Sequence, residues 1–508
     1  MWLVVLLVGC AATGALAPRL GVSFFPRTDP GQFVISLKTP AGSNLAATER
    51  ETERIENIIR GEVAPEELDI LVSNLGNVPD FAAMYSPNAG QNTGFVQVSL
   101  RPGHRTSSFE YMRRVRARLR RELPHIAIYF QAGGLVDSIV NMGLPAPIDV
   151  QVSGSNLRLD FAIANRLAGQ IRQLPGVSDA FIPQDIDAPA LRLDFDRQRV
   201  AQLGLTQREV VQNVITALTS SQMIAPSFWT DRRSGLDYLL TVQYPEDRIR
   251  SLYDLRSIPL HGTKSNDPAR LDAIMQMRKV EAPTEIDRYQ LRRVVDVYVN
   301  LDNEDLGRVA AGIEEIVARE KVPGNVRIDL RGVVQGMRQS FTSFGGGLVL
   351  AVALLYLVLV AQFRSFLDPL LILLAVPPGL GGVVVLLYAA DTTLNVMSLM
   401  GVVMMVGIVV SNSILLVDFA HKLRGEGYET AEAMAAAARP RLRPILMTSF
   451  ATVLGLAPIA AKMGAGTESY APPAQAIIGG LLASLVVTLF LVPAAYLLAY
   501  RVKTKEGQ

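Results

Sequence analysis

The sequence predicts an α+β membrane protein, in which a large polar region separates one apolar segment from five others. The first apolar segment covers residues 2–17, and the polar region extends over residues 20–340. Within that region, strand and helix patterns follow the order of two split βαβ units. Each of the later segments is long enough for a membrane-spanning helix, which needs roughly 20 apolar residues, whereas the first is shorter. These five segments lie at residues 341–363, 369–390, 394–417, 444–461 and 474–499.

The composition agrees with this division between membrane and water. Apolar residues make up 49% of the chain and charged residues 19%, and the two kinds occupy different regions. A net charge of +2 gives no indication of a nucleic-acid partner. The single cysteine, Cys10, excludes an internal disulfide and a cysteine-based metal site, and the four histidines lack metal-ligand spacing. Neither a phosphate-binding loop nor a nucleophile elbow is present, so we expect no enzyme activity, cofactor or resident metal.

The basic residues predict the orientation in the membrane, because short cytoplasmic loops carry an excess of Lys and Arg. Two short loops between the apolar segments, at residues 391–393 and 462–473, contain only one basic residue, Lys462. This asymmetry predicts a multi-pass inner-membrane protein with region 20–340 in the periplasm, a five-helix block at 336–501 and a cytoplasmic tail at 502–508. If the segments alternate across the bilayer, the other side holds Arg364, Lys422, Arg424, Arg439, Arg441, Arg443, Arg501, Lys503 and Lys505.

Residues 1–19 have two interpretations. Residues 7–10 resemble a lipoprotein cleavage site, and the length of the apolar run also suits a signal peptide. No Lys or Arg precedes the run, although a signal peptide normally begins with basic residues. We therefore favour an uncleaved membrane helix, whose shortness suggests that the chain begins partway into a longer protein.

The polar region divides into three predicted subdomains. Residues 20–145 show the order β-α-β-β-α-β, which is the ferredoxin-like split pattern. The same order begins again at residues 146–186 and is completed at residues 293–335. Residues 187–292 interrupt this second unit with a strand, a helix and a proline- and charge-rich part that predicts loops and edge strands. We expect this insert to be a projecting accessory subdomain.

The most specific patterns lie in the membrane segments. Residues 407–419 read GIVVSNSILLVDF, residues 441–449 read RLRPILMTS, and residues 361–366 read AQFRSF. Together with FFP at residues 24–26 and DPGQF at residues 29–33, these motifs resemble the resistance–nodulation–division (RND) efflux permeases over essentially the whole chain. The chain looks like the C-terminal half of such a permease, with its seventh to twelfth transmembrane helices.

The resemblance implies that the two split units are porter subdomains and that the insert is a docking subdomain. It also implies a homotrimer that exports amphipathic compounds by proton antiport, together with a periplasmic adaptor protein and an outer-membrane channel. In the family, two aspartates on the fourth helix of the N-terminal half face a lysine on the tenth helix. An N-terminal half is therefore a further implied partner.

Ser411 occupies the position of that lysine. Because serine carries no charge, the lysine switch cannot operate in this chain, and the coupling ion stays open. Arg441 and Thr448 match relay positions of the family, and Asn412 matches a common asparagine, so these four residues are proton-relay candidates. Each has a structural alternative: hydrogen bonding between helices for Ser411 and Asn412, an intrahelical bond for Thr448, and a topology-setting charge for Arg441.

Carboxylates are expected only at the ends of the membrane helices, at Asp368, Asp391, Asp418 and Glu468. Cation-coupled carriers normally need an ionisable group inside the membrane. We therefore predict that the proton-binding carboxylates come from the N-terminal half and that this chain does not pump alone.

Other features predict the details of the helix block. Glycines at residues 345–347, 379, 381–382 and 479–480 are expected to allow close helix contacts. Pro377, with the proline that follows it, and Pro458 are expected to kink or break their helices. Residues 429–439 resemble the amphipathic surface helix of the family.

The substrate-cleft candidates are aromatic and methionine residues of the first unit. Three lie in a loop rich in Pro, Asn and Gly, and the fourth ends a strand: Phe81, Met84, Tyr85 and Phe130. Met84, Met112 and Met142 resemble the methionine ladder of metal-exporting members, but the position of Met112 fits ordinary helix packing. By family analogy we expect an amphipathic organic substrate, not copper or silver.

The alternative hypothesis is a membrane-anchored periplasmic sensor, or a protein-translocation accessory of related fold, without transport activity. An upstream or fused half with two adjacent aspartates in its fourth helix would favour the permease hypothesis.

Overall fold

The computed structural model combines two sheet-and-helix units, an inserted unit and a block of apolar helices. The predicted loop residues Phe81, Met84 and Tyr85, and the first apolar segment up to residue 12, lie outside the residues that it describes. Those residues are 13–76, 90–134, 139, 141, 143–222, 224–245, 248–262, 265–302, 305–464 and 466–503.

The polar region alternates between strands and helices. In chain order the elements are β1 (Gln32–Lys38), α1 (Leu45–Glu62), β2 (Leu68–Leu75), β3 (Thr93–Leu100), α2 (Ser108–Glu122), β4 (Ala127–Ala132), β5 (Ile148–Ser153), α3 (Leu157–Ile171), β6 (Val177–Phe181), β7 (Ala188–Phe195), α4 (Arg197–Gln202), α5 (Gln207–Leu218), β8 (Ser227–Thr230), β9 (Asp237–Leu240), α6 (Leu252–Arg256), β10 (Pro259–Gly262), β11 (Ser265–Arg270), β12 (Met275–Ala282), β13 (Asp287–Tyr289), β14 (Arg292–Leu301), α7 (Leu306–Arg319) and β15 (Arg327–Gly332).

The first unit is a four-stranded antiparallel sheet that packs against α1 and α2. Its strand order is β2-β3-β1-β4, which a split βαβ unit produces. Along β1, residues alternate between buried and half-buried, because successive side chains of a strand face opposite sides of the sheet. Phe33, Ile35 and Leu37 thereby enter a core that they share with Ile55 and Ile59 of α1.

The second unit repeats this arrangement. Strands β6, β14, β5 and β15 lie side by side in the same order, and the short β13 forms a hairpin with β14. Ile148, Val150 and Val152 of β5 pack against α3 and α7 in one core. The alternate residues Asp149 and Gln151 are buried as well, so the opposite face of this sheet is also covered.

The inserted unit begins and ends with one antiparallel ribbon, in which β7 pairs with β12. Between these strands lie helices α4 to α6 and the hairpins β8–β9 and β10–β11. Helix α5 begins at a capping box, in which Thr206 and Glu209 satisfy each other's backbone N–H groups. Val210 and Val214 of α5 pack against Leu271 and Ile274 in a core separate from those of the two sheets.

Five helical spans are long and apolar enough to cross a membrane, which confirms the five predicted apolar helices. The second span is interrupted ahead of Pro377, as predicted, because Pro lacks the N–H that continues a helix and restricts the residue before it. The helices are α8 (Val333–Phe363), α9 (Leu367–Leu373), α10 (Val376–Ala389), α11 (Val396–Gly425), α12 (Thr430–Ala460) and α13 (Ala471–Lys503).

The predicted separate surface helix at residues 429–439 is wrong. The structure has one continuous helix, α12, which passes through Pro440 and Pro444 and also continues through Pro458, where a break was one of the predicted outcomes. The alanine-rich sequence ahead of Pro440 has high helix propensity, and in this helix each proline removes a hydrogen bond without ending the helix. The amphipathic stretch is therefore the polar end of a longer helix.

Helices α10 and α13 approach each other most closely at two glycines. A Cβ atom added to Gly382 would lie 2.3 Å from the carbonyl oxygen of Gly479, and one added to Gly479 would lie 2.5 Å from that of Gly382. This confirms the predicted role of these glycines, since small residues let helices in a membrane pack backbone to backbone. The prediction was wrong for residues 345–347 of α8, because a Cβ atom there would meet nothing within 4 Å.

Candidate functional site

The relay candidates Ser411 and Asn412 lie in the middle of α11. The neighbouring Ser413 is fully buried and donates to the carbonyl of Val409 at 3.2 Å, with the Thr488 hydroxyl at 3.4 Å. Ser411 is exposed and Asn412 is half-buried. Neither side chain has a hydrogen-bond partner within the described ranges. Their polar groups are therefore available to a group from outside this helix bundle.

Ser411 belongs to an exposed stripe on α11. Its other members, Met400, Met404, Gly407 and Leu415, recur at spacings of three and four residues, which place them on one helix face. Hydrocarbon cannot satisfy the hydroxyl of Ser411 in the middle of such a face. The stripe therefore carries a polar group at mid-helix that no side chain in the described part of this chain covers.

Arg441 and Thr448 lie on α12, which packs beside α11. The Thr448 hydroxyl contacts the carbonyls of Pro444 and Ile445, both at 3.1 Å, so it makes the intrahelical bond of the structural alternative. The guanidinium of Arg441 lies 5.3 Å from the ring centroid of Phe419 on α11. Across the described residues, no hydrogen bond joins any two of the four relay candidates, so a relay needs groups from elsewhere.

Asp368 lies at a helix end, as predicted, in the first turn of α9. Its side chain is fully buried in the helix block, which the sequence analysis did not predict. The bundle therefore holds an acidic group of its own near one end.

A cleft of about 440 Å³ lies between the two split units. It is bounded by α2, β4, the end of β14 and the segment ahead of β1. Its walls are largely aromatic, and they also present arginines. The lining includes Phe24, Phe25, Arg27, Phe109, Met112, Arg113, Arg116, Tyr129 and Phe130.

Phe130 lies in the wall of this cleft, but it is also part of the first unit's core. Its side chain is fully buried and stacks on Phe33 at 6.4 Å between ring centroids. The guanidinium of Arg116 covers the ring at 4.4 Å. Contact between Phe130 and a substrate therefore needs Arg116 to move.

A buried ion pair joins the two units across the cleft floor. Nε of Arg116 donates to both carboxylate oxygens of Asp179 on β6 at 3.1 Å, and Arg120 contacts the same carboxylate at 3.1 Å. A second bridge joins Lys38 of β1 to Asp185 at 2.9 Å. These pairs connect helix α2 and strand β1 of the first unit to the second unit.

A chain of carboxylates and amides crosses the covered face of the second sheet. Gln151 donates to Asp149 at 2.8 Å and to Asp296 at 2.9 Å, and Gln184 donates to Asp296 at 2.7 Å and to Asp287 at 2.6 Å. Burial, together with the charge of Asp296, raises the pKa of Asp149 to about 8. Burial also raises the pKa of Asp296 to about 6. One carboxyl group of this hydrogen-bonded row therefore holds a proton near neutral pH.

Replacing Asp149 by asparagine is expected to raise the melting temperature of the full chain in micelles by roughly 3 °C or more at about pH 8, with a smaller gain at about pH 5. A raised pKa means that the folded protein holds this proton more tightly than the unfolded chain. The free energy of unfolding therefore falls as the pH rises from 3.8, the ordinary pKa of an aspartate, toward about 8. Asp329→Asn is the control, since this residue of β15 is partly exposed and pairs with Arg327. Equal shifts at both pH values would contradict the account.

A second, smaller cleft adjoins the first near the apolar helices. It shares Pro26, Arg27 and Phe109 with the larger cleft and reaches Lys462 and Glu468 in the loop between α12 and α13. The two clefts therefore have one wall in common, made from the segment ahead of β1 and the start of α2.

Sequence patterns did not single out Arg116 or Asp149. The spacing of Arg116 from Met112 and Leu119 places all three on one face of α2, and this signal could have marked the arginine as buried. Asp149 alternates with apolar residues along β5, which is the pattern of a sheet with one solvent face. Nothing in the local sequence indicates that this face is covered.

These features define a polytopic α+β membrane protein with a cleft between two split βαβ units. The protein-family model described as the AcrB/AcrD/AcrF family matches residues 1–500, so the chain belongs to this family of RND transporters. The membership confirms the resemblance predicted from the membrane motifs, and it favours the permease hypothesis over the sensor hypothesis.

Two curated relatives and one solved structure show the range of similarity. The cobalt-zinc-cadmium resistance protein CzcA of Cupriavidus metallidurans is 23% identical over 495 residues, which cover 96% of this chain and 46% of that protein. The swarming motility protein SwrC of Bacillus subtilis is 30% identical over 314 residues, covering 61% and 29% respectively. The crystal structure of a heavy metal efflux pump (crystal form I) superimposes with a TM-score of 0.83 at 24% identity, over 98% of this chain and 50% of that one. CzcA and the heavy metal efflux pump match nearly all of this chain, and the chain spans about half of the length of each.

Proposed function

We propose that this chain is the C-terminal half of an inner-membrane RND efflux permease that uses proton antiport together with an N-terminal half. The observation that carries the proposal is the exposed stripe of α11, where Ser411 and Asn412 present unsatisfied polar groups at mid-helix. A permease half with such a face needs polar groups from a second half, and the relatives are about twice as long as this chain.

In this proposal, residues 1–19 form a sixth membrane helix and the basic loops lie in the cytoplasm. The two split units are then porter subdomains in the periplasm, and residues 187–292 form the docking subdomain. The strand orders of both sheets support the first assignment, and the separate core of the insert supports the second.

Proton coupling would occur where α11 meets the aspartates of the N-terminal half. A serine hydroxyl can both donate and accept a hydrogen bond, so Ser411 can bond a carboxylate in either protonation state. The Asn412 amide has the same capacity. Because neither group changes charge, all of the charge change on proton binding falls on the companion's carboxylates.

Amphipathic organic compounds are the first candidate substrates. The larger cleft combines phenylalanine rings with guanidinium groups, and Arg27 lies 5.4 Å from the ring centroid of Phe109. Such a surface suits a molecule that has an apolar body and a polar or anionic end. The smaller cleft extends the same wall toward the helix block, which supports entry from the membrane surface.

Divalent metal cations are the second candidate, because CzcA is named for cobalt, zinc and cadmium resistance. Tight binding of such cations needs clustered His, Cys, Asp or Glu side chains. No group of three or more of these residues that could hold a metal is found within the described ranges. The composition of the cleft therefore favours the organic substrate.

The β8–β9 hairpin supports assembly with another protein, which in this proposal includes a homotrimer. An isolated two-stranded hairpin is only marginally stable in water, and a large exposed apolar patch is typical of an interface. This hairpin and its flanks expose Phe228, Trp229, Leu236, Tyr238, Leu240 and Val242. A neighbouring protomer, an adaptor or an outer-membrane channel could cover this surface.

Export from cells that lack their own efflux pumps tests the proposed function. We expect cells that produce this chain with its N-terminal half to retain less of an anionic amphipathic dye, and to survive cobalt or zinc no better than before. Protection against the cations without dye export would favour the metal substrate. Absence of both effects would leave the sensor or accessory hypothesis in its place.

Two variants serve as controls in the same assay. Asparagine in place of the companion's two aspartates should abolish export, because it removes the titratable groups. Ser411→Lys should change the pH dependence of export, and an unchanged profile would identify Ser411 as a packing residue.

A further inference from the structure

Asp368 has no role in the coupling described above, yet its surroundings are unusual for a carboxylate. Oδ1 accepts a hydrogen bond of 2.7 Å from the hydroxyl of Tyr500 on α13. Oδ2 is buried and accepts no hydrogen bond from any residue that the structure describes. A charged oxygen in this condition is costly, since it has lost water without gaining a donor. The site is therefore suited to a ligand that neutralises it.

Polar side chains from α11, α13 and the turn ahead of α9 lie around the carboxylate. His421 of α11 places Nδ1 3.9 Å from Oδ2. Arg424, also on α11, lies 4.2 Å from the ring centroid of Tyr500 and donates to the Tyr496 hydroxyl at 3.1 Å. In the turn ahead of α9, Ser365 accepts from the backbone N–H of Asp368 at 3.4 Å. The arginine is thus engaged by the tyrosines, and the imidazole is the base that approaches the unpaired oxygen.

We propose that Asp368 is a proton-binding site and that it exchanges its proton with water through His421. The side chain of His421 is 48% exposed, whereas that of Asp368 is fully buried, so the imidazole ring connects solvent to the buried oxygen. In the transfer, an N–H bond of the imidazolium breaks, an O–H bond forms on Oδ2, and an ion pair becomes two neutral groups. Rotation of the ring or one water molecule closes the 3.9 Å gap.

The hydrogen bond from Tyr500 is compatible with both states, because Oδ1 accepts from the hydroxyl whether or not Oδ2 carries a proton. The ring of Tyr500 packs against that of Tyr496, tilted by 39° with 4.6 Å between the centroids, and the arginine over it helps to hold the hydroxyl in place. Proton binding therefore changes the charge of the site, while the hydrogen bond from Tyr500 of α13 to Oδ1 is retained.

This inference rests on the proposed function for its orientation, which places this end of the bundle at the cytoplasm. His421 lies ten residues after Ser411 on α11, or about 15 Å along the helix at 1.5 Å per residue. A proton that leaves the coupling site toward the cytoplasm would thus find an acceptor further along the same helix.

A structural role is the competing explanation, since a carboxylate in the first turn of a helix stabilises the helix dipole. That role needs a carboxylate that stays charged, and it assigns nothing to His421. Measurement of the protonation state separates the two explanations.

Infrared difference spectra of the purified full chain in lipid nanodiscs provide that measurement, because a protonated carboxyl group and a carboxylate absorb at different frequencies. On mild acidification the wild type should gain absorption from carboxyl groups that are shielded from water, among them Asp149 and Asp296 of the second sheet. Asp368→Asn should lose one component of this absorption, the shielded band that we assign to Asp368. Tyr500→Phe keeps the carboxyl group and should shift the band, since its hydrogen bond is lost. His421→Asn should slow the appearance of the band after a pH jump.

Asp418→Asn is the matched control at the same end of the bundle. Its side chain is 40% exposed and pairs with Lys422 at 2.9 Å, so its loss should leave the shielded band unchanged. If Asp368→Asn and Tyr500→Phe both give the wild-type spectrum, the proposal is overturned. If Asp368→Asn does not fold, the other two variants decide. The measurement needs neither a companion half nor transport, so its failure is distinct from failure of the proposed efflux function.

Discussion

Replacing Gly382 by leucine is expected to abolish correct assembly of the helix block. Any side chain at this position meets the backbone of α13, where the Gly479 carbonyl oxygen lies 2.3 Å from the added Cβ atom. Backbone cannot rotate away as a side chain can, so α10 and α13 must separate. We expect a loss of about 3 kcal/mol, at the upper end of the usual range for overpacking. Thermal unfolding and size-exclusion chromatography in micelles should show a lower melting temperature and aggregated protein.

Gly346→Leu provides the matched control for this prediction. Gly346 is also in a membrane helix, but a Cβ atom there meets nothing within 4 Å. The added leucine should therefore leave the melting temperature nearly unchanged. If the two variants behave alike, the close contact between α10 and α13 is not what holds the block together.

Replacing Arg116 by alanine is expected to destabilise the contact between the two split units and to stop export. The side chain of Asp179 is only 2% exposed, so its charge stays buried after the arginine is removed. Breaking a buried ion pair costs about 3–5 kcal/mol, and the remaining contact from Arg120 favours the lower end of that range. Removal of the guanidinium also uncovers the ring of Phe130 in the cleft wall. Thermal unfolding and dye export by the assembled permease measure the two effects.

Arg114→Ala is the control on the same helix. The side chain of Arg114 is 49% exposed, pairs with Glu110 within α2 and lies outside the lining of the larger cleft. Exposed pairs of this kind contribute about 0–1 kcal/mol, so both stability and export should stay close to wild type. A comparable loss in Arg114→Ala would show that α2 is sensitive to any substitution and would remove the special role of Arg116.

The sequence predicted the general architecture because the relevant signals are local. Membrane helices such as α11 are long apolar runs, and strands such as β1 show strict alternation. The order of these elements is enough to predict two split units, since each strand's place in the sheet follows from the connections. Helix ends were less accurate, as α12 shows, because proline and a change in polarity do not always end a helix.

The candidate sites were less predictable, because they depend on contacts between distant segments. The burial of Asp149 depends on what covers the second sheet, and that of Asp368 depends on α13. Neither partner can be found from local spacing. Ser411 could be identified only through the family motif, whereas its exposure on α11 is a property of the folded bundle.

The central claim is that this half lacks sufficient coupling groups and depends on carboxylates from an N-terminal half. Active transport by purified protein in liposomes under an imposed pH gradient tests it most directly. We predict no uphill movement of an amphipathic dye with this chain alone, and uphill movement when both halves are reconstituted together. Uphill movement driven by this chain alone would contradict the claim.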